Sequence, residues 1–126
     1  MNVPDDLKYT ETHEWVRVQD GQARVGVTDH AQAELTDVVY VELPKIGTKL
    51  EAKAAAAIVE SVKAAGDIYA PVTGTVVAIN EELENNPALV NTDPHGEGWL
   101  FIVTLDKPEE LAQLKDAAQY RALIGE

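Results

Sequence analysis

Apolar and polar positions alternate over short spans along most of the 126-residue chain, the period of half-buried strands. Trp15, Val16 and Val18 run into Gln19-Asp20-Gly21-Gln22, and Ala23, Val25 and Val27 resume with Arg24 and Gly26 between them. Asp-Gly between two such runs predicts a tight hairpin. "DVVYVELP" reads as a further strand ended by Pro44. After a turn at Gly47 comes the alanine run Ala54 to Ala57, which taken alone favours helix. Ile58, Val59 and Val62 favour strand, so a strand is expected from about Ala56 to Ser61. "IYAPVTGTVVAIN" predicts a strand interrupted by Pro71 to Gly74 and resumed through Val76, Val77 and Ile79. A last strand is expected over Trp99 to Leu105.

Helical signals are few. Thr28 or Asp29 can cap a short helix over "TDHAQAEL", with Asp29 and Gln32 resembling a capping box. Asn80 can cap one turn, Glu81 to Leu83, and another turn is expected to start at Pro87. Pro108 to Ile124 reads as one amphipathic helix, with Leu111, Leu114, Ala118, Arg121, Leu123 and Ile124 on a broad side. Many short strands, small helical turns and one C-terminal helix predict a small mainly β barrel or sandwich. No linker or charge block divides the chain, so residues 1–126 are expected to form a single domain.

Composition narrows the function. A formal net charge of −12 argues against nucleic-acid binding and against an anionic membrane surface. No apolar run approaches the roughly 20 residues needed to cross a bilayer. The start, "MNVPDDLKYT", has neither secretory nor transit-peptide character, so a cytoplasmic location is expected. There are no cysteines, which removes disulfides, thiolate metal sites and cysteine nucleophiles, although a cofactor thiol would leave no trace in the sequence. His13, His30 and His95 lack helical metal spacing, so no metal site is expected. Asp93, His95 and Glu97 alternate in a Gly-rich loop, better read as solvated than as a clamp. No serine–histidine–acid arrangement and no phosphate loop supports an autonomous enzyme.

Lys63 stands apart. It is the only Lys or Arg between Lys53 and Lys107, and its neighbours Ser61, Ala64, Ala65 and Gly66 are small. A turn lysine with small neighbours is reachable by another protein's active site, and an amide on its amine would remove the charge. On composition alone an ordinary surface lysine is the plainer reading.

Beyond these residues, "VESVKAAGDIYAPVTGTVVAIN" resembles the lipoyl-attachment region of the glycine cleavage system H-protein family. "LKYTETHEWV", "VGVTDHAQAEL", "DVVYVELP", "LVNTDPHGEGW" and the C-terminal segment resemble that family in the same order, covering nearly the whole chain. The resemblance implies a lipoyl-domain-like barrel-sandwich hybrid, with lipoate covalently attached to Lys63 at a hairpin tip. It implies a non-catalytic carrier in glycine catabolism. The aminomethyl group of glycine passes from glycine decarboxylase (P protein) to aminomethyltransferase (T protein), and dihydrolipoamide dehydrogenase (L protein) reoxidises the dithiol. A lipoate ligase or octanoyltransferase would load Lys63, and a monomer is expected. By the same carry-over, Glu14 and Asp67 are charge partners for the cationic amine, and Thr12 is a hydrogen-bond candidate.

The chain departs from the family pattern at four places. Lys53-Ala54 stands where Gly and an acidic residue are usual, Thr36 replaces Gly, Gly66 replaces Ser and His95 replaces Tyr. Without glycine a left-handed turn at Lys53-Ala54 is harder to form. These departures motivate an alternative, a paralogous lipoyl carrier or lipoyl-relay protein serving another lipoate-dependent pathway. A biotin carrier fits less well, because such domains place methionines beside the lysine and Met1 is the only one here. A non-carrier interaction module would leave Lys63 unmodified.

Overall fold

A computed structural model describes residues 1–126. Nine strands dominate: β1 (Lys8–Tyr9), β2 (Glu14–Gln19), β3 (Gln22–Val27), β4 (Val38–Glu42), β5 (Lys49–Leu50), β6 (Ala55–Ser61), β7 (Ala65–Tyr69), β8 (Gly74–Ile79) and β9 (Phe101–Thr104). They form a six-stranded sheet, β1-β2-β3-β9-β8-β5, and a three-stranded sheet, β4-β6-β7. Every pairing is antiparallel. The inner faces share one core, in which Val16, Val25, Phe101 and Val103 of the large sheet meet Val41, Val59 and Ile68 of the small one. Period-2 alternation places these side chains on one face of each strand, and their burial from water is the main favourable term in folding.

The Asp-Gly signal gives the expected hairpin. Gln19 pairs with Gln22, leaving a two-residue loop in which Asp20 (φ 53°) and Gly21 (φ 74°) are both left-handed. That is the primed turn whose twist matches paired strands. The alanine run resolves to strand, because Ala57 is buried in the shared core and β6 pairs on both sides. Trp15 is buried, and its indole N–H donates to the Pro94 carbonyl at 2.9 Å.

The short helices are α1 (Asp29–Leu35), α2 (Glu82–Asn85) and α3 (Leu89–Thr92). Thr28 caps α1 by accepting from the Ala31 amide at 3.1 Å, while Gln32 donates side chain to side chain to Asp29 at 2.7 Å. Asn80 is buried and acts mainly as a latch, its amide donating to the carbonyls of Glu97 (2.7 Å) and Trp99 (2.8 Å).

The continuous helix expected over Pro108 to Ile124 is corrected. A 3₁₀ segment spans Pro108–Gln113, the chain extends at Leu114, and α4 occupies Ala117–Leu123. One tertiary contact and one local cap outweigh continuous helix propensity here. Lys115 forms a β-bridge with Tyr9, with two backbone bonds of 2.8 Å, and Asp116 starts a new helix through a capping box with Gln119. The break resets the helical phase. Ala117 and Tyr120 are buried against Tyr9 and Trp15, while Ala118 and Leu123 of the expected stripe are exposed. Glu110 pins the 3₁₀ segment to the large sheet, accepting from the Thr73 amide (2.7 Å) and hydroxyl (2.8 Å).

Two departures from the family pattern fall in left-handed backbone. Lys53 has φ 75°, so the turn before β6 forms without glycine. Its amide donates to the Ala70 carbonyl at 2.7 Å, and the Ala70 amide donates to Ala54 at 2.8 Å. Thr36 ends α1 at φ 64°, ψ −148°. Asn91 fixes this corner by donating to the Thr36 carbonyl (2.8 Å) and accepting from the Val38 amide (2.9 Å).

Candidate functional site

Lys63 sits at the tip of the β6–β7 hairpin. The Ser61 amide donates to the Ala64 carbonyl at 2.7 Å, leaving Val62 and Lys63 as a two-residue loop. Neither loop residue has positive φ, so this is not the primed turn that usually closes so short a hairpin. The Ser61 side chain makes the difference. Its hydroxyl oxygen accepts from the amides of Lys63 (3.2 Å) and Ala64 (3.0 Å). A serine hydroxyl thereby replaces backbone acceptors and holds the lysine outward. The Lys63 ammonium donates to the Glu34 carbonyl, 3.1 Å away in the last turn of α1. That carbonyl is one of those a helix leaves unpaired at its C-terminus, where a cation is favoured.

Glu14 is the most deeply placed carboxylate, 1% exposed at the start of β2. Oε1 accepts from the hydroxyls of Thr10 (2.6 Å) and Thr12 (2.5 Å), and Oε2 accepts from the Tyr69 amide (3.2 Å). Burial pushes its pKa above the ordinary glutamate range, against the lowering effect of the hydrogen bonds from Thr10, Thr12 and Tyr69. Oε2 has one donor only, and so keeps acceptor capacity. Glu14 and Thr12 both line a cleft of about 370 Å³, with Tyr69, Pro71, Lys53 and Lys115 among its other walls.

The sequence-derived residues are partly brought together. Thr12 and Glu14 touch. Asp67 is exposed on β7, opposite Ile58, and lies outside the Glu14 hydrogen-bond network and the cleft walls. It shares a strand face with Tyr69, two residues on, whose amide reaches Glu14. β7 therefore leads from the Lys63 tip past Asp67 to the Glu14 carboxylate.

Several contributors were not legible in the sequence. Thr10 approaches Glu14 only because the chain turns between β1 and β2, where the Glu14 amide also donates to the Thr10 hydroxyl at 3.0 Å. His13, with φ 74°, is fastened by Tyr120, whose hydroxyl lies 2.7 Å from both His13 Nδ1 and Thr28 Oγ1. Burial, then the neighbouring His30, lowers the His13 pKa, and burial raises that of Tyr120 to about 12. Ser61 did carry a signal, being a hydroxyl two residues before the loop lysine. In the Gly-rich loop, the Asp93 carboxylate accepts from the Glu97 amide at 2.9 Å and so closes the loop itself. His95 packs at 6.2 Å from Trp15, and burial lowers its pKa.

A family model described as glycine cleavage H-protein matches residues 7–126. The chain belongs to the glycine cleavage H-protein family. A glycine cleavage system H protein of Idiomarina loihiensis is 56% identical over 126 residues, covering 99% of this chain and 98% of that one. Another, from Methylacidiphilum infernorum, is 52% identical over 124 residues, covering 98% and 97%. The crystal structure of a family member from Mycobacterium marinum superposes with a TM-score of 0.88 at 34% identity, over 98% of this chain and all of that one. The mainly β, two-sheet architecture is that of the family, as the sequence resemblance implied. No helix is long and apolar enough to cross a membrane.

Proposed function

We propose that the chain is the lipoyl carrier of a glycine cleavage system and that Lys63 is its attachment residue. The observation that carries this reading is the placement of Lys63 alone on an exposed hairpin tip, in a chain matched to the H-protein family from residue 7 to 126. When attached, lipoate supplies the dithiolane that takes up the aminomethyl group and the electrons. The chain supplies placement. Ser61 holds the tip, and the Lys63 amine is its reactive handle. Glu14 Oε2 offers an acceptor to a cationic amine in the cleft, Thr12 holds Oε1, and Asp67 adds negative charge along β7. A buried carboxylate attracts a cation more strongly than an exposed one, because little water screens it.

On this reading the chain is no catalyst. It serves glycine decarboxylase, aminomethyltransferase and dihydrolipoamide dehydrogenase in turn, after loading by a lipoate ligase or octanoyltransferase, as a monomer in the cytoplasm. Relatives that are glycine cleavage system H proteins, 52% and 56% identical along nearly the whole chain, favour this carrier over a relay for another pathway. The test is loading followed by turnover. With ligase, lipoate and ATP, the wild type should gain one lipoyl mass and Lys63→Arg none. The loaded chain should then support glycine decarboxylation with the three enzymes. An unloaded wild type, or a loaded one that supports no decarboxylation, overturns the reading.

A further inference from the structure

Three large apolar side chains stand in water at one end of the small sheet. Val39 is 54% exposed, Tyr40 53% and Val62 69%. They adjoin one another through the sheet register. Val38 pairs with Ser61 and Tyr40 with Glu60, so Val39 is the extra residue of a β-bulge. The Val62 amide donates to the Asp37 carbonyl at 3.0 Å, which ties the hairpin tip to the start of β4. Strict alternation would bury one of two successive residues. The bulge instead turns both Val39 and Tyr40 outward, while Val38 and Val41 point into the core.

β4 is also the edge of its sheet. Edge strands are usually blunted by charge or proline, and this one presents valine and tyrosine. The surround is charged: Glu34, Asp37, Glu42 and Glu60 are all exposed. An apolar centre inside an acidic rim has the composition of a protein docking surface for a partner with a basic rim. Val62 is next in sequence to Lys63, so whatever covers the patch also covers the amine.

Resting on the proposed role of Lys63, we infer that Val39, Tyr40 and Val62 are the docking surface for the enzyme that acylates Lys63. Only that enzyme must bring Nζ itself into its active site. Enzymes acting on the far end of a loaded side chain work at a distance from the tip. The acyl donor is a lipoyl adenylate. The ammonium leaves the Glu34 carbonyl and gives one proton to a base. Neutral Nζ attacks the acyl carbon, the N–C bond forms, and the C–O bond to AMP breaks with its electron pair departing on AMP. Loss of a second proton leaves a neutral amide.

The probe is an adenylate-forming lipoate ligase with lipoate and MgATP, followed by intact mass. Val39→Ser/Tyr40→Ser and, separately, Val62→Ser should each lower kcat/KM for acylation by about tenfold or more. Val18→Ser, at an exposed position on the other sheet, should leave it unchanged. Exhaustively loaded variants should be reduced by dihydrolipoamide dehydrogenase at the wild-type rate. Raised salt should slow acylation of the wild type, because the rim charges become screened. Wild-type acylation rates in both patch variants overturn the inference and leave the carrier reading intact. An equal loss in acylation and in reduction also overturns it, as does a wild-type dimer that Tyr40→Ser dissolves. A wild type that cannot be acylated overturns both.

Discussion

Thr36→Gly should stabilise the chain, although it deletes a side chain. Thr36 closes α1 at φ 64°, ψ −148°, a region open to glycine and strained for a β-branched residue. Such a conformation costs roughly 1–3 kcal/mol. The Thr36 side chain returns little, since its hydroxyl reaches only the adjacent Leu35 carbonyl, at 2.5 Å on an exposed surface. The bonds that fix the corner are backbone bonds and survive the change: the Thr36 amide donates to Gln32 at 3.0 Å, and its carbonyl accepts from Asn91 at 2.8 Å. Glycine adds unfolded-state entropy worth about 0.5–1 kcal/mol against folding. The net gain is therefore roughly 1 kcal/mol, or a rise in Tm of about 3–5 °C for a chain of this size. Thr36→Ala separates backbone strain from side-chain loss, because alanine keeps the strain. Thermal and urea unfolding followed by circular dichroism should rank Gly above both Thr and Ala. A glycine variant no more stable than the alanine variant would refute the strain argument.

Other substitutions test the remaining contacts. Glu110→Ala should cost about 1.5–3 kcal/mol in urea unfolding, because a carboxylate holding the Thr73 amide and hydroxyl is lost. Ser61→Ala should change global stability by less than about 1 kcal/mol, since its bonds are exposed, yet speed hydrogen exchange at the Lys63 and Ala64 amides. For Glu14→Gln, the sign follows from the raised Glu14 pKa. The folded chain holds that proton more tightly than the unfolded chain, so Glu14 contributes stability below its unfolded value of about 4.3, lost as pH rises through the folded value. The stability of Glu14→Gln relative to wild type should therefore rise with pH across that window and then level off. A difference independent of pH would mean that burial does not govern this carboxyl.

What the sequence made legible follows from which forces are local. The Asp20-Gly21 turn and the β8 strand depend on residues within a few positions of one another and formed as read, and of the two caps offered for α1, Thr28 is the one that forms. The isolated lysine at 63 was visible because its neighbours are small and uncharged, and the hairpin geometry depends on the adjacent Ser61. The C-terminal helix misled because its decisive partners are distant. Tyr9 captures the Lys115 backbone and Thr73 captures Glu110, and no helical period records either contact. The Glu14 site was half legible for the same reason. Thr12 lies beside it in sequence, but Tyr69 arrives from another sheet, and Thr10 arrives only once the β1–β2 turn has closed. Lys53 and Thr36 invert the usual inference. Glycine in a left-handed position can be read from sequence, whereas a non-glycine residue held there by its surroundings cannot. Asn91 and the Gln32 carbonyl hold Thr36, and the Ala70 carbonyl holds the Lys53 amide while the Ala70 amide holds the Ala54 carbonyl. Both corners carry the hairpin that presents Lys63: α1 supplies the Glu34 carbonyl for the amine, and the turn at Lys53 launches β6. The tip's own bonds involve neither corner, so the strain there is tolerated rather than required, and relieving it should raise stability while leaving the tip in place.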